Sequence, residues 1–225
     1  MNDFMQTMLL TFEVAGLTTL ILLAIGIPLA YWAAFTKSRV RAPIEALISM
    51  PLVLPPSVLG FYLLVTFSPQ SPIGRFFNDT FDLRLVFSFE GLVVGSVLFS
   101  LPFMIHPLQS GFSALPGTLR EAAATLGIGR LKTLFFVLLP NMKPALLTGI
   151  VISFAHTVGE FGVVLMIGGS IPGQTRMASI AIYDEVESLN YAMAHQYAFT
   201  LFAITFSILL MVYLINRRFA RAGSL

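Results

Sequence analysis

Five stretches of this chain are long and apolar enough to cross a lipid bilayer, and that constrains the fold before anything else does. A spanning helix needs roughly 20 mostly apolar residues. Such runs cover residues 8–35, 44–67, 91–112, 144–167 and 194–216, and no basic residue stands in the interior of any of them. The second run is interrupted by Pro51, Pro55 and Pro56. These should kink it, because each proline removes a backbone donor and clashes with the preceding turn. Only 11% of the 225 residues are charged against 56% hydrophobic. A soluble domain is nearer a quarter charged, and at this composition it would expose patches large enough to aggregate. The expected fold is an all-α integral membrane protein, a single transmembrane domain over residues 1–225. Residues 1–8 carry no basic residue, which argues against a cleaved signal peptide. The absence of cysteine excludes disulfides, thiol chemistry and Cys-ligated zinc. Thirteen basic residues against 11 acidic are too few for a nucleic-acid partner.

The basic residues set the orientation. Lys37, Arg39 and Arg41 follow the first run, Arg120, Arg130, Lys132 and Lys143 separate the third from the fourth, and Arg217, Arg218 and Arg221 follow the fifth. The other side holds Arg75, Arg84 and Arg176. The positive-inside rule then places the N-terminus outside, the C-terminus inside and residues 113–143 in the cytoplasm. Residues 178–189 are moderately apolar but carry Asp184, Glu185 and Glu187. They are expected to form a helix on the outer surface; a re-entrant segment or an extension of the fifth span is the alternative.

The inner connection between the third and fourth runs, "SALPGTLREAAATLGIGRLKTLFFVLLP", is unlike a plain loop. Thr118 stands three residues before Glu121, the spacing of a capping box. Ala122–Ala124 and Leu126 are good helix formers, and Gly127 suits a left-handed closing residue. A second amphipathic stretch follows, with Leu131, Leu134, Phe135 and Leu138 on one side and Pro140 at its end. A helix of two turns does not hold in water by itself. Either its own chain or a partner must hold it, unless it is an ordinary helical connection.

These residues resemble the EAA–Gly–(I)xLP signature of bacterial ABC importer permeases. Glu121, Ala122 and Ala123 are followed by Gly127 and then by Val137-Leu138-Leu139-Pro140, with Val137 in place of the commoner Ile. The resemblance implies an ABC type I importer permease fold in which residues 113–143 are the cytoplasmic coupling loop. Glu121, Ala122, Ala123, Thr125, Leu126 and Gly127 would form the coupling helix seated in a groove of an ATP-binding subunit, with Leu139 and Pro140 closing the loop. "MPLVLPPSVLGFYLL" (50–64), residues 118–140 and "HTVGEFGVVLMIGGSIPGQTR" (156–176) are similar to molybdate permease subunits, over most of residues 8–217. Sulfate permeases typically read Glu-Tyr-Gly where this chain has Glu160-Phe161-Gly162, and "IPGQTR" also favours molybdate. The resemblance therefore implies molybdate as cargo, with tungstate of nearly the same size and charge. Sulfate or thiosulfate is the alternative. It further implies a homodimer in the cytoplasmic (inner) membrane and two ATP-binding subunits that hold ATP and Mg. A periplasmic or lipid-anchored oxyanion-binding protein would deliver cargo. No cofactor is expected on this chain.

Ser153, His156, Thr157 and Glu160 recur at i, i+3, i+4 and i+7 in the fourth run and would share one helical face. Intramembrane polar groups belong against protein or water. Together with Phe161 and Gly162 they are candidates for a translocation path or gate, with a hydrogen-bonded seam between helices as the alternative. His156 and Glu160 lack a third ligand, so no metal site is expected. Gly159, Gly162, Gly168 and Gly169 suit close packing or a bending gate. Glu13 lies near the outer end of the first run; Trp32 and His106-Pro107 lie toward the inner interface. No G-x-x-x-x-G-K-[ST] loop occurs, so ATP hydrolysis is left to a partner. An ion-coupled secondary transporter or channel would not need the EAA spacing. A membrane enzyme would need a nucleophile beside His156/Glu160, and none is placed there.

Overall fold

The computed structural model describes residues 3–222, with side chains to residue 214. The side chains of Arg217, Arg218 and Arg221, part of the orientation argument, lie outside the described residues. The elements among these residues are all helical. They are α1 (Asp3–Phe35), α2 (Arg41–Val53), α3 (Pro56–Phe67), α4 (Pro72–Phe81), α5 (Phe89–Ala114) and α6 (Gly117–Thr125). There follow α7 (Arg130–Asn141), α8 (Lys143–Val158), α9 (Gly162–Gly168), α10 (Ala178–Glu187) and α11 (Tyr191–Ala222).

α1 and α5 run side by side through the middle, and α8 packs on both. The buried stripe of α1 is built from small and hydroxyl residues, Thr7, Thr11, Ala15, Thr18, Gly26 and Ala30 among them. Such residues let helix backbones approach closely where lipid supplies no hydrophobic drive between helices. Thr11 and Thr19 donate back to the carbonyls of Thr7 and Ala15, at 2.8 and 2.7 Å, so their hydroxyls are satisfied within the helix. At the end of the bundle where Lys37, Arg120, Arg130 and Lys143 fall, Leu22, Met104, Leu108, Phe112 and Leu138 form a core with no exposed surface. A second core at the other end joins Leu10, Val14, Leu92, Val164, Met177 and Ile180.

Asp3–Phe35, Phe89–Ala114 and Tyr191–Leu214 are each long and apolar enough to cross a membrane. Two bent pairs bring the number to as many as five. The first pair, α2 and α3, turns through 113° where the sequence predicts a kink. Pro51 stays inside α2; the break is the work of Pro55 and Pro56. A residue before proline is pushed out of the helical region. Leu54 precedes Pro55 and Pro55 precedes Pro56, so two successive residues are extended, with ψ of 136° at both. Pro28, Pro102 and Pro107 each stand singly inside a helix that continues past them.

The fourth run is not one helix. α8 stops at Val158, and Gly159, Glu160 and Phe161 separate it from the short α9. The shared helical face predicted for Ser153, His156, Thr157 and Glu160 therefore holds for the first three and fails at Glu160. α9 is drawn away by its contacts with α3. A Cβ on Gly60 would stand 2.7 Å from Cβ of Met166 and 3.1 Å from Cα of Val163, and one on Gly162 would stand 2.7 Å from Cβ of Pro56. Overfilling a packed contact costs about 1–3 kcal/mol. Gly60→Leu should therefore lower the melting temperature of the detergent-purified protein by several degrees. Gly16→Ala, with no atom within 4 Å of the added methyl, should not. Equal melting temperatures would remove close packing as the reason for Gly60.

Two further elements bear on the sequence expectations. Residues 178–187 form α10, separated from α11 by Leu189 at φ 60° and by Asn190, so they do not extend the fifth span. The short α4 was not foreseen, although Ser71-Pro72 is a start signal: Ser71 Oγ accepts from the Gly74 N–H at 2.8 Å and Pro72 takes the first turn.

Candidate functional site

α6 is short, and three contacts hold it. Ala123 is buried, Leu119 packs against the core that holds Phe112, and the Arg120 guanidinium lies 3.9 Å over the Phe35 ring. Its start corrects the capping-box expectation. Pro116 occupies the N-cap without any side-chain hydrogen bond, so Thr118 is already inside the helix. Its end follows the sequence. Gly127 stands at φ 70°; its N–H donates to the Ala124 carbonyl at 3.0 Å and the Ile128 N–H to the Ala123 carbonyl at 2.9 Å. That pair of bonds is a Schellman closure. Of the residues predicted to dock a partner, Glu121, Ala122, Thr125, Leu126 and Gly127 are exposed and Ala123 faces its own chain. Leu126 is 77% exposed, beside a helix that buries little else.

α7 departs from its predicted face. Leu134 and Leu138 are buried, whereas Leu131 and Phe135 are exposed. Residues Leu134–Leu138 form a π turn, which separates Phe135 from the buried pair. The cause is Pro140: it has no N–H for the Phe136 carbonyl and would clash with it in a regular helix, and a widened i→i+5 turn relieves both. The helix runs one residue past Pro140, to Asn141, whose side chain donates to the Val137 carbonyl at 2.7 Å. Leu139 is buried and Pro140 exposed.

The polar residues of the fourth run converge on α5. Ser100 Oγ lies 2.9 Å from His156 Nδ1 and 3.0 Å from Thr157 Oγ1, and Thr157 in turn donates to the Ser153 carbonyl at 3.0 Å. The His156 ring packs against Phe99 and Phe103, with centroids 5.0 and 3.9 Å away. Ser153 and Thr157 are fully buried within the chain, and His156, Phe161 and Gly162 half-buried. Glu160 is 4% exposed, and neither carboxyl oxygen has a hydrogen-bond partner. Ser96 lies beside it without reaching hydrogen-bond geometry, its own hydroxyl also unpartnered. Ser179, at the start of α10, donates to the Glu160 main-chain carbonyl at 2.5 Å. Sequence reasoning missed Ser96, Ser100 and Ser179; two serines four apart in the apolar third run were the available signal.

Three continuous and two bent apolar stretches, with the exposed α6 beside them, make a fold shared with solved ABC transporters. The crystal structure of a bacterial alginate ABC transporter, in complex with alginate pentasaccharide-bound periplasmic protein, matches with a TM-score of 0.78 at 18% identity. The match covers 97% of this chain and 80% of that one. The chain belongs to the binding-protein-dependent transport system inner membrane component family, which matches residues 26–221. It is thus an inner-membrane transport component, and its relatives are membrane subunits rather than ATPases. The molybdenum transport system permease protein ModB of Azotobacter vinelandii is 49% identical over 95% of this chain and 94% of that one. The sulfate transport system permease protein CysT of Salmonella typhimurium is 32% identical over 84% and 69%.

Proposed function

We propose that this chain is the permease subunit of an ATP-driven molybdate importer, with tungstate as a second cargo. It works as a homodimer with the basic end of the bundle in the cytoplasm. Two ATP-binding subunits, holding ATP and Mg, dock on the α6 helices, and a periplasmic or lipid-anchored binding protein loads the outer face. The observation that carries this reading is the exposed face of α6. A nine-residue helix is marginal in water, and an exposed Leu126 beside Glu121, Ala122 and Thr125 gains a purpose only when something covers it. The 49% identity to ModB against 32% to CysT supports molybdate over sulfate.

The spans offer the anion no fixed cationic site, so passage is transient and selection precedes it, on the binding protein. Burial of Ser153, Thr157 and Glu160 within the chain favours the gate over the direct lining of a path. The break at Gly159–Phe161 lets α9 move against α8, while Ser100, His156 and Thr157 hold α8 to α5.

The test is ATPase activity of the reconstituted complex, stimulated by binding protein loaded with molybdate, tungstate or sulfate in turn. Stimulation by the first two alone is expected. Equal stimulation by sulfate-loaded protein would move the cargo to the sulfate class. Uptake driven by a proton gradient without ATP would replace the importer by a secondary transporter.

A further inference from the structure

α7 carries a surface that docking of α6 does not explain. Leu131, Phe135 and Phe136 are 74%, 54% and 79% exposed, whereas Leu134 and Leu138 of the same helix are buried. Arg130 and Lys132 are exposed beside them and Lys143 is exposed at the corner with α8. No acidic residue occurs between Glu121 and Glu160, and among the described residues none of these three cations forms an ion pair. α7 meets α8 at 84°. If α8 crosses the membrane steeply, α7 runs nearly parallel to the membrane plane, at the level where the buried side of α7 meets Phe112 and the ends of α1 and α5.

We infer that α7 is an interfacial helix on the inner leaflet, with Leu131, Phe135 and Phe136 among the acyl chains and Arg130 and Lys132 on the headgroups of anionic phospholipids. The geometry suits that occupant in two ways. Long basic side chains can lay their stems along apolar surface and lift their charge to the headgroup level. The inner leaflet is negatively charged and attracts basic segments beside spans. The π turn has a role here: it lets one short helix bury Leu134 and Leu138 in the protein while giving two adjacent phenylalanines to the bilayer. The inference rests on the proposed orientation, with the basic end inside.

The test uses Trp32, the sole tryptophan, which is first removed as Trp32→Phe so that Phe136→Trp reports alone. The protein is placed in nanodiscs containing phospholipids brominated on the upper acyl chain. Bromine should quench the introduced indole strongly, both before and after the ATP-binding subunit is added. Weak quenching throughout would overturn the inference. Quenching lost on adding the subunit would overturn it as well, giving this face to the ATPase. Phe135→Trp reads the same surface should the first variant fail to fold. For the headgroups, binding of short-chain phosphatidylglycerol to the purified complex should weaken about fivefold in each of Arg130→Gln and Lys132→Gln, with phosphatidylcholine unaffected. Unchanged phosphatidylglycerol binding would overturn the anionic part. Neither readout needs ATP or cargo, so failure of the importer reading would appear separately, as absent ATPase stimulation with quenching intact.

Discussion

Gly127→Val should lower the binding-protein-stimulated ATPase activity of the assembled complex by about 5- to 30-fold, while Gly129→Val leaves it within about twofold. The two glycines are close neighbours, and neither has an atom within 4 Å of an added Cβ, so crowding inside the chain does not separate them. Conformation does. Gly129 sits at φ −64°, which any residue adopts, and Gly127 sits at φ 70°. The left-handed region costs a non-glycine residue about 1–2 kcal/mol, and a branched side chain is the worst case. Elsewhere in a large protein that cost would be absorbed. α6 has little to absorb it with: its start has no side-chain cap, and Ala123, Leu119 and the Arg120–Phe35 contact hold the rest. Opening the closure at Gly127 frees Leu126 and Thr125 from the geometry proposed for docking. Stimulated ATPase activity in proteoliposomes is the measurement, with gel filtration confirming that the variant still assembles. Full activity in both variants would mean that the turn does not carry the coupling. Equal loss in both would place the requirement in the partner's surface rather than in this turn.

What the sequence could and could not reveal divides along a physical line. Features set by residues adjacent in the chain were legible. The turn at Leu54–Pro55 follows from two consecutive prolines, and the left-handed end of α6 from a glycine after a run of helix formers. Features set by packing were not. The break at Gly159–Phe161 contains no proline; α9 leaves the line of α8 because Gly60 and Gly162 let it press against α3. The Phe87 N–H also donates to its Ile167 carbonyl at 2.8 Å. A stripe at i, i+3, i+4, i+7 reads as one face only while the helix continues, and here it ends two residues before Glu160. Thr118 and Glu121 have capping-box spacing, yet Pro116 forces Leu115 to be extended and the helix begins before Thr118. The π turn of α7 lies between these cases: Pro140 provides the local cause, but which leucines it keeps buried depends on the core at Phe112.

Glu160→Gln should preserve folding and uptake, whereas Glu160→Lys should reduce the folded population on the order of 100-fold. The carboxyl is buried, and neither oxygen has a partner. Among the described residues the only ion pairs are Arg41–Glu45 and Arg176–Asp3, so Glu160 takes part in none. An unmatched buried polar group calls for an explanation, and a group that answered a cation would show one nearby. What surrounds it instead is the Ser96 hydroxyl and a chain break tied to α10 through Ser179. An amide of the same shape can serve there, offering a donor to Ser96 and an acceptor in return. A lysine cannot: with no carboxylate to meet it at membrane depth, it costs about 3 kcal/mol, and each 1.4 kcal/mol is tenfold. Yield and melting temperature after detergent extraction report the folded population, and molybdate uptake into vesicles reports function. If Glu160→Gln folds normally but transports nothing, then the acid itself is used in the cycle, by moving a proton or by repelling the departing anion. In that case the break between α8 and α9 is a chemical gate, and a hinge of polar packing is too weak a description of it.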